Sequence, residues 1–239
     1  MEKQAECRHK VMQASGFLME LVNNVLNMNK LESGEMKPEN KPFDLIELLT
    51  ETASIVEMQG QEYAIHFQMQ MGKHKYRHLI GSPLYLKQVL QNIGGNAVKY
   101  NRAGGAVTFA SEDVSYSDGR AVIKFTCTDT GRGMSREFLV HAFEPFSQEN
   151  TDARTTFTGT GLGLAITKQM VELMEGTISL KSEQNVGTTI SVTIPFRIDV
   201  DYTEPQEDAK PADAASLEGV HVLLVEDNAL NREIAIEIL

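Results

Sequence analysis

A run of closely spaced glycines at residues 159–163 is the feature of this sequence that most directly suggests chemistry. The run reads Gly-Thr-Gly-Leu-Gly and leads into an amphipathic helical pattern. Glycine lets a ligand approach the main chain closely, and a helix that begins at such a turn directs its free N–H groups and its positive dipole end toward it. The pattern predicts a phosphate, and hence a nucleotide, at the turn. Glycines that only punctuate a loop are the alternative.

A second group of polar side chains is spaced so that they share neighbouring turns of one predicted helix. The group consists of Asn92, Asn96, Lys99 and Tyr100, and its spacing brings two amides, an ammonium and a phenol together. An amide oxygen suits Mg²⁺, which prefers oxygen ligands and holds nucleotide phosphates. Ordinary exposed polar residues are the alternative for the two asparagines.

An aspartate at the end of a predicted strand forms a third candidate group. Asp129 is followed by Gly131 and Gly133, which let main chain approach a ligand beside the carboxylate. A carboxylate accepts hydrogen bonds, so it can recognise the amino group of a base such as adenine. A turn without a ligand is the alternative. The segment 143–157 that follows has little periodicity, and such a long loop is usually either functional or disordered.

The hydrophobic pattern predicts the elements that must position these groups. Apolar residues alternate steps of four and three from Cys7 to Met28. This heptad pattern predicts one long helix, ending near Gly34 and Pro38, that packs against partner helices or within a core. Further helices are predicted at 44–59 and from Pro83, with Ser82 as its N-cap. Strands are predicted at 64–71, 79–80, 106–116, 121–129, 177–180 and 188–196.

The composition excludes several classes of function. The chain has 239 residues, 41% of them hydrophobic, and 33 acidic against 22 basic residues give a net charge of -11. This balance disfavours nucleic acid and anionic membranes as partners. No apolar run reaches the roughly 18 residues that would span a bilayer. The only two cysteines, Cys7 and Cys127, favour a reducing compartment, so we expect this portion to be cytoplasmic.

Taken together in chain order, these motifs resemble the N, G1, F and G2 boxes of sensor histidine kinases. The matching segments are 92–100, 129–134, 143–146 and 159–164, and Gly187-Thr188 resembles the final glycine element. The resemblance covers roughly residues 8–196. It implies an α+β fold, the two-layer α/β sandwich shared by gyrase, Hsp90, histidine kinases and MutL, in which a mixed sheet carries helices on one face and a lid covers ATP.

The resemblance implies a role for each polar residue on the metal and phosphate side. Asn96 corresponds to the asparagine that holds Mg²⁺. Asn92 occupies the position where related ATPases carry a water-activating glutamate; an amide cannot act as a base, so transfer is favoured over hydrolysis. Lys99 and Tyr100 correspond to residues at the phosphate and base ends of the pocket. Arg154, in the lid, is expected to contact the γ-phosphate during transfer.

On the base and lid side, Asp129 corresponds to the residue that recognises adenine, and Gly131 and Gly133 to its loop. The remaining nucleotide-binding residues implied by the resemblance are Gly159, Thr160, Gly161, Leu162, Gly163 and Thr188. Among them, the three glycines correspond to the lid hinge and the start of the phosphate-facing helix. Two positions depart from the usual pattern: Thr158 replaces a frequent glycine, and Ser82 a frequent aspartate.

The resemblance also predicts how the chain is divided. Residues 1–36 resemble the second helix of a dimerisation hairpin, and no histidine has the context of a phosphoacceptor. The first helix is therefore expected to lie outside this fragment, so autophosphorylation is not expected of the fragment alone. Residues 37–198 are predicted to form the catalytic domain. The acidic segment 199–216 reads as a linker, and residues 217–239 resemble a truncated receiver domain, loosely held or docked on a neighbour, in which Glu226 and Asp227 would help hold Mg²⁺.

Three functions are compatible with these patterns. The first is the ATP-binding part of a hybrid sensor histidine kinase, which positions Mg-ATP for attack by a histidine of another segment. Its expected partners are that histidine, a response regulator or receiver domain, and a second copy through the N-terminal helix. The others are an ATP hydrolase of the same fold and a non-catalytic nucleotide-binding regulator. No P-loop is present, and a dinucleotide fold is disfavoured because the glycine run does not follow a strand.

Overall fold

The computed structural model describes residues 2–149 and 159–202. The described residues up to Asp201 form one compact unit. The predicted lid residues Arg154 and Thr158, most of the predicted linker, and the whole segment 217–239 lie outside the described residues.

The long N-terminal helix predicted from the heptad pattern is present as α1 (Glu2–Glu32). It ends just before Gly34, which has a φ of +70°. Met28 and Leu31 pack against the hydrophobic core, whereas Val11, Leu18 and Val25 are exposed. Among the α1 side chains that the structure describes, those that pack against the core lie toward its C-terminal end.

Six further elements build the first half of the layered unit. They are β1 (Lys41–Asp44), α2 (Leu45–Glu62), β2 (His66–Met71), β3 (His78–Gly81), α3 (Pro83–Lys99) and β4 (Ala106–Ser117). Asp44 caps α2 by accepting hydrogen bonds from the N–H groups of Ile46 and Glu47, which stabilises the free amides of the first turn.

The prediction that Ser82 caps α3 is only half right. Ser82 occupies the N-cap position, but its side chain makes no capping bond. It is 2% exposed, and its hydroxyl has no hydrogen-bond partner among the described residues. The side chain is enclosed in the core at the helix start, where Pro83 at the first helical position has no N–H to offer.

The second half of the unit continues with β5 (Arg120–Asp129), the short α4 (Arg136–Leu139), α5 (Gly163–Leu173), β6 (Thr177–Glu183) and β7 (Gly187–Ile198). The hairpin between β4 and β5 turns at Asp118 and Gly119, which both have positive φ, 51° and 72°. Two successive positive φ angles are typical of the tight turn that matches strand twist.

The seven strands form one mixed sheet. Their order is β1-β3-β7-β5-β4-β2, with β6 paired to β7; β2 and β4 run parallel, and the other pairs are antiparallel. Side chains alternate along β7: Ile190, Val192 and Ile194 are buried, whereas Ser191 hydrogen-bonds Thr126 of β5 on the opposite face. Buried faces of α2, α3 and α5 complete the core. The predicted two-layer α+β architecture is confirmed.

Candidate functional site

An open cleft lies where α3, the end of β5, the following loop and the start of α5 converge. It encloses an empty volume of about 1130 Å³, including the part open to solvent, which is ample for a nucleotide-sized ligand. The lining residues that the sequence analysis had selected are Asn92, Asn96, Lys99, Tyr100, Asp129, Gly133, Gly159, Thr160, Gly161, Gly163 and Thr188. Groups far apart in the sequence thus meet in one cavity.

Asp129 is held at one end of this cleft by the backbone around it. Its Oδ1 accepts hydrogen bonds from the N–H groups of Gly131 at 2.8 Å and Thr188 at 3.2 Å. Among the described residues, nothing donates to Oδ2. Burial raises the pKa of the Asp129 carboxyl, and the two backbone hydrogen bonds partly oppose this by favouring the charged form. The carboxylate is therefore fixed in place with one oxygen left to accept a bond from a ligand.

The two asparagines of α3 differ in their partners, although both line the cleft. Asn92 donates from Nδ2 to the carbonyl of Gly163 at 2.6 Å and to the hydroxyl of Thr167 at 2.5 Å, so it joins α3 to the first turn of α5. Asn96, one turn later, makes no side-chain hydrogen bond among the described residues. Its half-buried amide is thus available to a ligand in the cleft.

Positive charge is concentrated at the C-terminal end of α3. The Lys99 ammonium lies 5.5 Å from the ring centroid of Tyr100, and the Arg132 guanidinium lies 4.5 Å from the same centroid. All three side chains line the cleft. A chain whose net charge is -11 therefore presents two cations in this cleft, which raises the local attraction for an anionic ligand such as phosphate.

The glycine turn is anchored by the residues between its glycines. Leu162 is fully buried in the core and does not line the cleft. The Thr160 hydroxyl accepts hydrogen bonds from the Leu162 N–H at 3.3 Å and from the side-chain amide of Asn24 in α1 at 3.1 Å. A Cβ on Gly161, whose φ is +71°, would lie 2.7 Å from the carbonyl carbon of Phe146. The turn is therefore shaped by packing, and only glycine fits this position.

Two of the predicted nucleotide-binding residues do not line the cavity, and one lies outside the described residues. Leu162 anchors the turn from the core side, and Gly131 acts through its N–H on Asp129. The predicted γ-phosphate contact, Arg154, falls in the part of the lid that the structure does not describe.

Several residues that shape the cleft were not predicted from the sequence. Arg132 and Met134 line it, and their positions beside the two glycines of the Asp129 loop were the available signal. Gln148 donates to the carbonyl of Gly159 at 2.6 Å, and Glu149 accepts from the N–H of Ser135 at 2.6 Å. These contacts join segments without regular periodicity, so no pattern pointed to them.

Comparison with known proteins agrees with this geometry. Residues 81–198, which include every polar residue of the cleft described above, match the family model "Histidine kinase-, DNA gyrase B-, and HSP90-like ATPase". This chain contains an ATP-binding domain of that family. The two-layer fold is the fold of that family, as the resemblance implied.

Proteins similar to this chain include sensor and hybrid histidine kinases. The chain is 33% identical to the sensor histidine kinase AruS of Pseudomonas aeruginosa over 91% of its own length, which is 21% of AruS. It is 30% identical to hybrid signal transduction histidine kinase K of Dictyostelium discoideum, over 93% of this chain and 19% of that protein. Full-length ShkA in complex with AMPPNP superposes with a TM-score of 0.67 at 26% identity, covering 82% of this chain and 39% of ShkA.

The chain therefore spans about a fifth of the length of these two curated relatives. Within the described ranges, 2–149 and 159–202, no helix combines the length and the apolar character that a membrane span requires.

Proposed function

We propose that this chain is the ATP-binding catalytic part of a hybrid sensor histidine kinase. In this proposal the cleft holds Mg-ATP and presents its γ-phosphoryl group to a histidine imidazole of another segment. The observation that carries the proposal is the arrangement of Asp129, whose Oδ1 is held by two backbone bonds while Oδ2 receives no bond among the described residues, in the same cleft as the polar side chains of α3. The family match over residues 81–198 and the AMPPNP complex of ShkA support ATP as the ligand.

The base would be recognised at the Asp129 end of the cleft. A carboxylate oxygen accepts but does not donate, so it pairs with an exocyclic amino group and disfavours a carbonyl at the same position. Apolar residues complete this end: Ile93, Ala97, Cys127 and Ile190 line the cleft and are buried. An adenine ring would therefore rest on an apolar floor with a single charged acceptor, as expected for a small-ligand site.

The donor set of this chain fits a magnesium ion that arrives with the nucleotide. Among the described residues, no three His, Cys, Asp or Glu side chains are grouped for metal binding. Asn96 provides an unpartnered amide oxygen in the cleft, and Mg²⁺ commonly takes one or two protein ligands together with phosphate oxygens and water. When bound, the ion would neutralise phosphate charge. Lys99 and Arg132 would add positive charge to the same region.

The chemistry and hydrogen bonds of Asn92 favour phosphoryl transfer over ATP hydrolysis. Its Nδ2 is engaged with Gly163 and Thr167, and an amide has no basic lone pair to take a proton from water. The residue would therefore fix the start of α5 relative to α3. Catalysis would consist of positioning and charge stabilisation, with the nucleophile supplied from elsewhere.

The proposed division of the chain follows the same interpretation. Residues 1–36 would be the second helix of a dimerisation hairpin, residues 37–198 the catalytic domain, residues 199–216 a linker, and residues 217–239 the start of a receiver domain. The exposed side chains of Val11, Leu18 and Val25 on α1 support a partner helix. A response regulator or receiver domain would be the final acceptor, and we place this portion in the cytoplasm, where ATP is available.

The experiment that tests the kinase function restores the missing nucleophile. A helix carrying a histidine followed by an acidic residue, taken from a related kinase, is joined in front of residue 1, and the product is incubated with Mg-ATP labelled at the γ-phosphate. We expect label that is stable in base and lost in acid, as a phosphohistidine requires, and no label in the same product with that histidine changed to glutamine. Steady release of inorganic phosphate without protein labelling would contradict transfer and indicate a hydrolase.

A further inference from the structure

Ser182 lies outside the lining of the cleft but contacts three groups that shape it. The residue is half-buried on β6, directly opposite Thr188 of β7 in the strand register. Its hydroxyl accepts a hydrogen bond from the Met134 N–H at 2.9 Å, lies 2.9 Å from the carbonyl oxygen of Gly187, and lies 2.9 Å from the hydroxyl of Thr188. One side chain thus joins both strands of the hairpin to the loop that follows Asp129.

The hydrogen-bond inventory of a hydroxyl fixes the direction of these bonds. A serine hydroxyl has one proton to donate and two lone pairs to accept. The Gly187 carbonyl can only accept and the Met134 N–H can only donate. All three contacts are satisfied together only when Ser182 donates to Gly187 and the Thr188 hydroxyl donates to Ser182. The single proton of Thr188 therefore points away from the cleft.

Two acceptors then line the base end of the cleft side by side. The Thr188 hydroxyl, with its proton committed to Ser182, offers only lone pairs to a ligand, and the free Oδ2 of Asp129 also only accepts. The Thr188 N–H donates to Asp129 Oδ1 at 3.2 Å, so the same residue holds the carboxylate. The exocyclic 6-amino group of adenine carries two hydrogens and matches this pair of acceptors, whereas the O6 oxygen of guanine at the same ring position would meet lone pairs.

The same hydroxyl holds the loop on the other side of the base end. The loop is seated on the β6–β7 hairpin by the bond from the Met134 N–H to Ser182 and by a bond from the Asn185 N–H to the Arg132 carbonyl at 2.6 Å. A Cβ on Gly133 would lie 1.9 Å from the carbonyl oxygen of Glu183, which shows how closely the two segments approach. Removing the Ser182 acceptor leaves one of the two bonds.

We propose that Ser182 is a positioning residue that sets the base preference of the cleft. It acts by orienting the Thr188 hydroxyl as an acceptor and by seating the loop 131–134. The inference rests on the proposed nucleotide-binding function, and it makes a separate claim: preference for a 6-amino purine over a 6-oxo purine depends on a hydroxyl that does not contact the base.

The test is a pair of calorimetric titrations, with the magnesium complexes of AMPPNP and of the corresponding guanosine analogue, on the full 239-residue chain. Ser182→Ala should weaken AMPPNP binding about tenfold, the scale of one or two hydrogen bonds, and should reduce the ratio of adenosine to guanosine affinity, because the Thr188 proton becomes free to turn toward a carbonyl. Ser179→Ala is the matched control, since Ser179 is exposed on the opposite face of the same strand; it should leave both affinities unchanged.

A second pair of variants separates orientation from general damage to the hairpin. Ser182→Thr and Ser182→Val introduce side chains of similar shape, but only threonine keeps a hydroxyl. The threonine variant should therefore retain the wild-type ratio of adenosine to guanosine affinity, and the valine variant should lose it. Both variants should have similar melting temperatures. In a Thr188→Val background, Ser182→Ala should no longer change the ratio, because the group that it orients is gone. A wild-type ratio in both Ser182→Ala and Ser182→Val would overturn the inference.

These outcomes are distinguishable from failure of the proposed function. If the wild type binds AMPPNP and Asp129→Ala abolishes that binding, nucleotide recognition stands and the Ser182 variants alone decide the inference. If the wild type binds neither analogue, both the proposed function and the inference are overturned.

Discussion

The side-chain amide of Asn92 and the main-chain carbonyl of Gly163 lie 2.6 Å apart, and this bond joins the two helices that flank the cleft. A Cβ on Gly163 would lie 2.8 Å from Asn92 Oδ1, so the glycine is required for the approach. The contact explains why an asparagine and a glycine 71 residues apart belong to one site. It also explains why the first turn of α5 is held at the cleft without a capping side chain of its own.

Replacement of Asn92 by alanine is therefore expected to loosen the start of α5. The variant loses two hydrogen bonds, each worth about 1 kcal/mol, and urea unfolding should show a loss of free energy of unfolding of about 1–2 kcal/mol. Affinity for Mg-AMPPNP should also fall, because the turn that we propose faces the phosphates is no longer held. Wild-type stability together with wild-type affinity would show that the bond contributes to neither.

The charged Asp129 carboxylate is expected to lower the free energy of unfolding at neutral pH, although it contributes to nucleotide binding. Burial is the larger effect on its pKa and raises it above the ordinary carboxyl value, despite two backbone hydrogen bonds. A raised pKa in the folded state means that stability is greatest when the group is protonated and decreases as pH rises through the folded-state pKa. Asp129→Asn removes that charge and retains an oxygen that can accept from Gly131 and Thr188.

We therefore expect Asp129→Asn, without nucleotide, to unfold at higher urea concentration than the wild type at pH 7.5. The difference should shrink as pH falls through the folded-state pKa, and Mg-AMPPNP binding should be weaker than that of the wild type at pH 7.5. The check is urea unfolding across this pH range, beside a calorimetric titration. A variant less stable than the wild type at pH 7.5 would contradict the assignment of burial as the dominant effect.

Cys127 is expected to resist thiol reagents. It is 3% exposed, and burial, reinforced by the nearby Asp129 charge, raises its pKa well above the usual thiol value, so little reactive thiolate exists at neutral pH. Because Cys127 also lines the cleft, bound nucleotide should slow its modification further. Peptide mass spectrometry after timed alkylation at pH 7.5 measures this directly. If alkylation of Cys127 is fast and equally fast with and without Mg-AMPPNP, the assignment of Cys127 to the floor of an ATP site is wrong.

Gly133 should tolerate substitution worse than other glycines of the same backbone conformation. Its φ is +62° and a Cβ would lie 1.9 Å from the Glu183 carbonyl oxygen, whereas Gly104, at +75°, has nothing within 4 Å of such a Cβ. Gly104→Ala should cost only the backbone strain, about 1–2 kcal/mol. Gly133→Ala should cost more in urea unfolding and should weaken nucleotide binding. Equal losses in the two variants would show that the loop moves freely away from β6.

The elements that were predicted best from the sequence are those that bury apolar side chains. The alternation along β7 and the helical spacing of Leu86, Val89, Leu90 and Ile93 in α3 are direct consequences of packing against one layer. The candidate site residues could be selected because motifs with short internal spacing, such as residues 92–100 and 159–164, remain recognisable without the fold. In both cases the signal lies within one element.

What the sequence did not reveal depends on contacts between distant segments. The Ser182 hydroxyl and the Gln148 amide have no periodic pattern, and their roles follow from which backbone groups are placed beside them. The Arg132 guanidinium over the Tyr100 ring likewise depends on how the loop after β5 meets the end of α3. At Ser82 a local sequence preference was misleading. Serine is a strong N-cap residue, but here its hydroxyl is buried and makes no hydrogen bond among the described residues.

The measurement that tests the central claim most directly is calorimetric titration of the chain with AMPPNP in the presence and absence of Mg²⁺. We expect wild-type binding that is strengthened by Mg²⁺, loss of that strengthening in Asn96→Ala with the fold intact, and loss of adenine affinity in Asp129→Ala. Gln91→Ala, on the same helix but outside the cleft lining, is the matched control and should behave as the wild type. Unchanged binding in both Asn96→Ala and Asp129→Ala would contradict the assignment of this cleft as a Mg-ATP site.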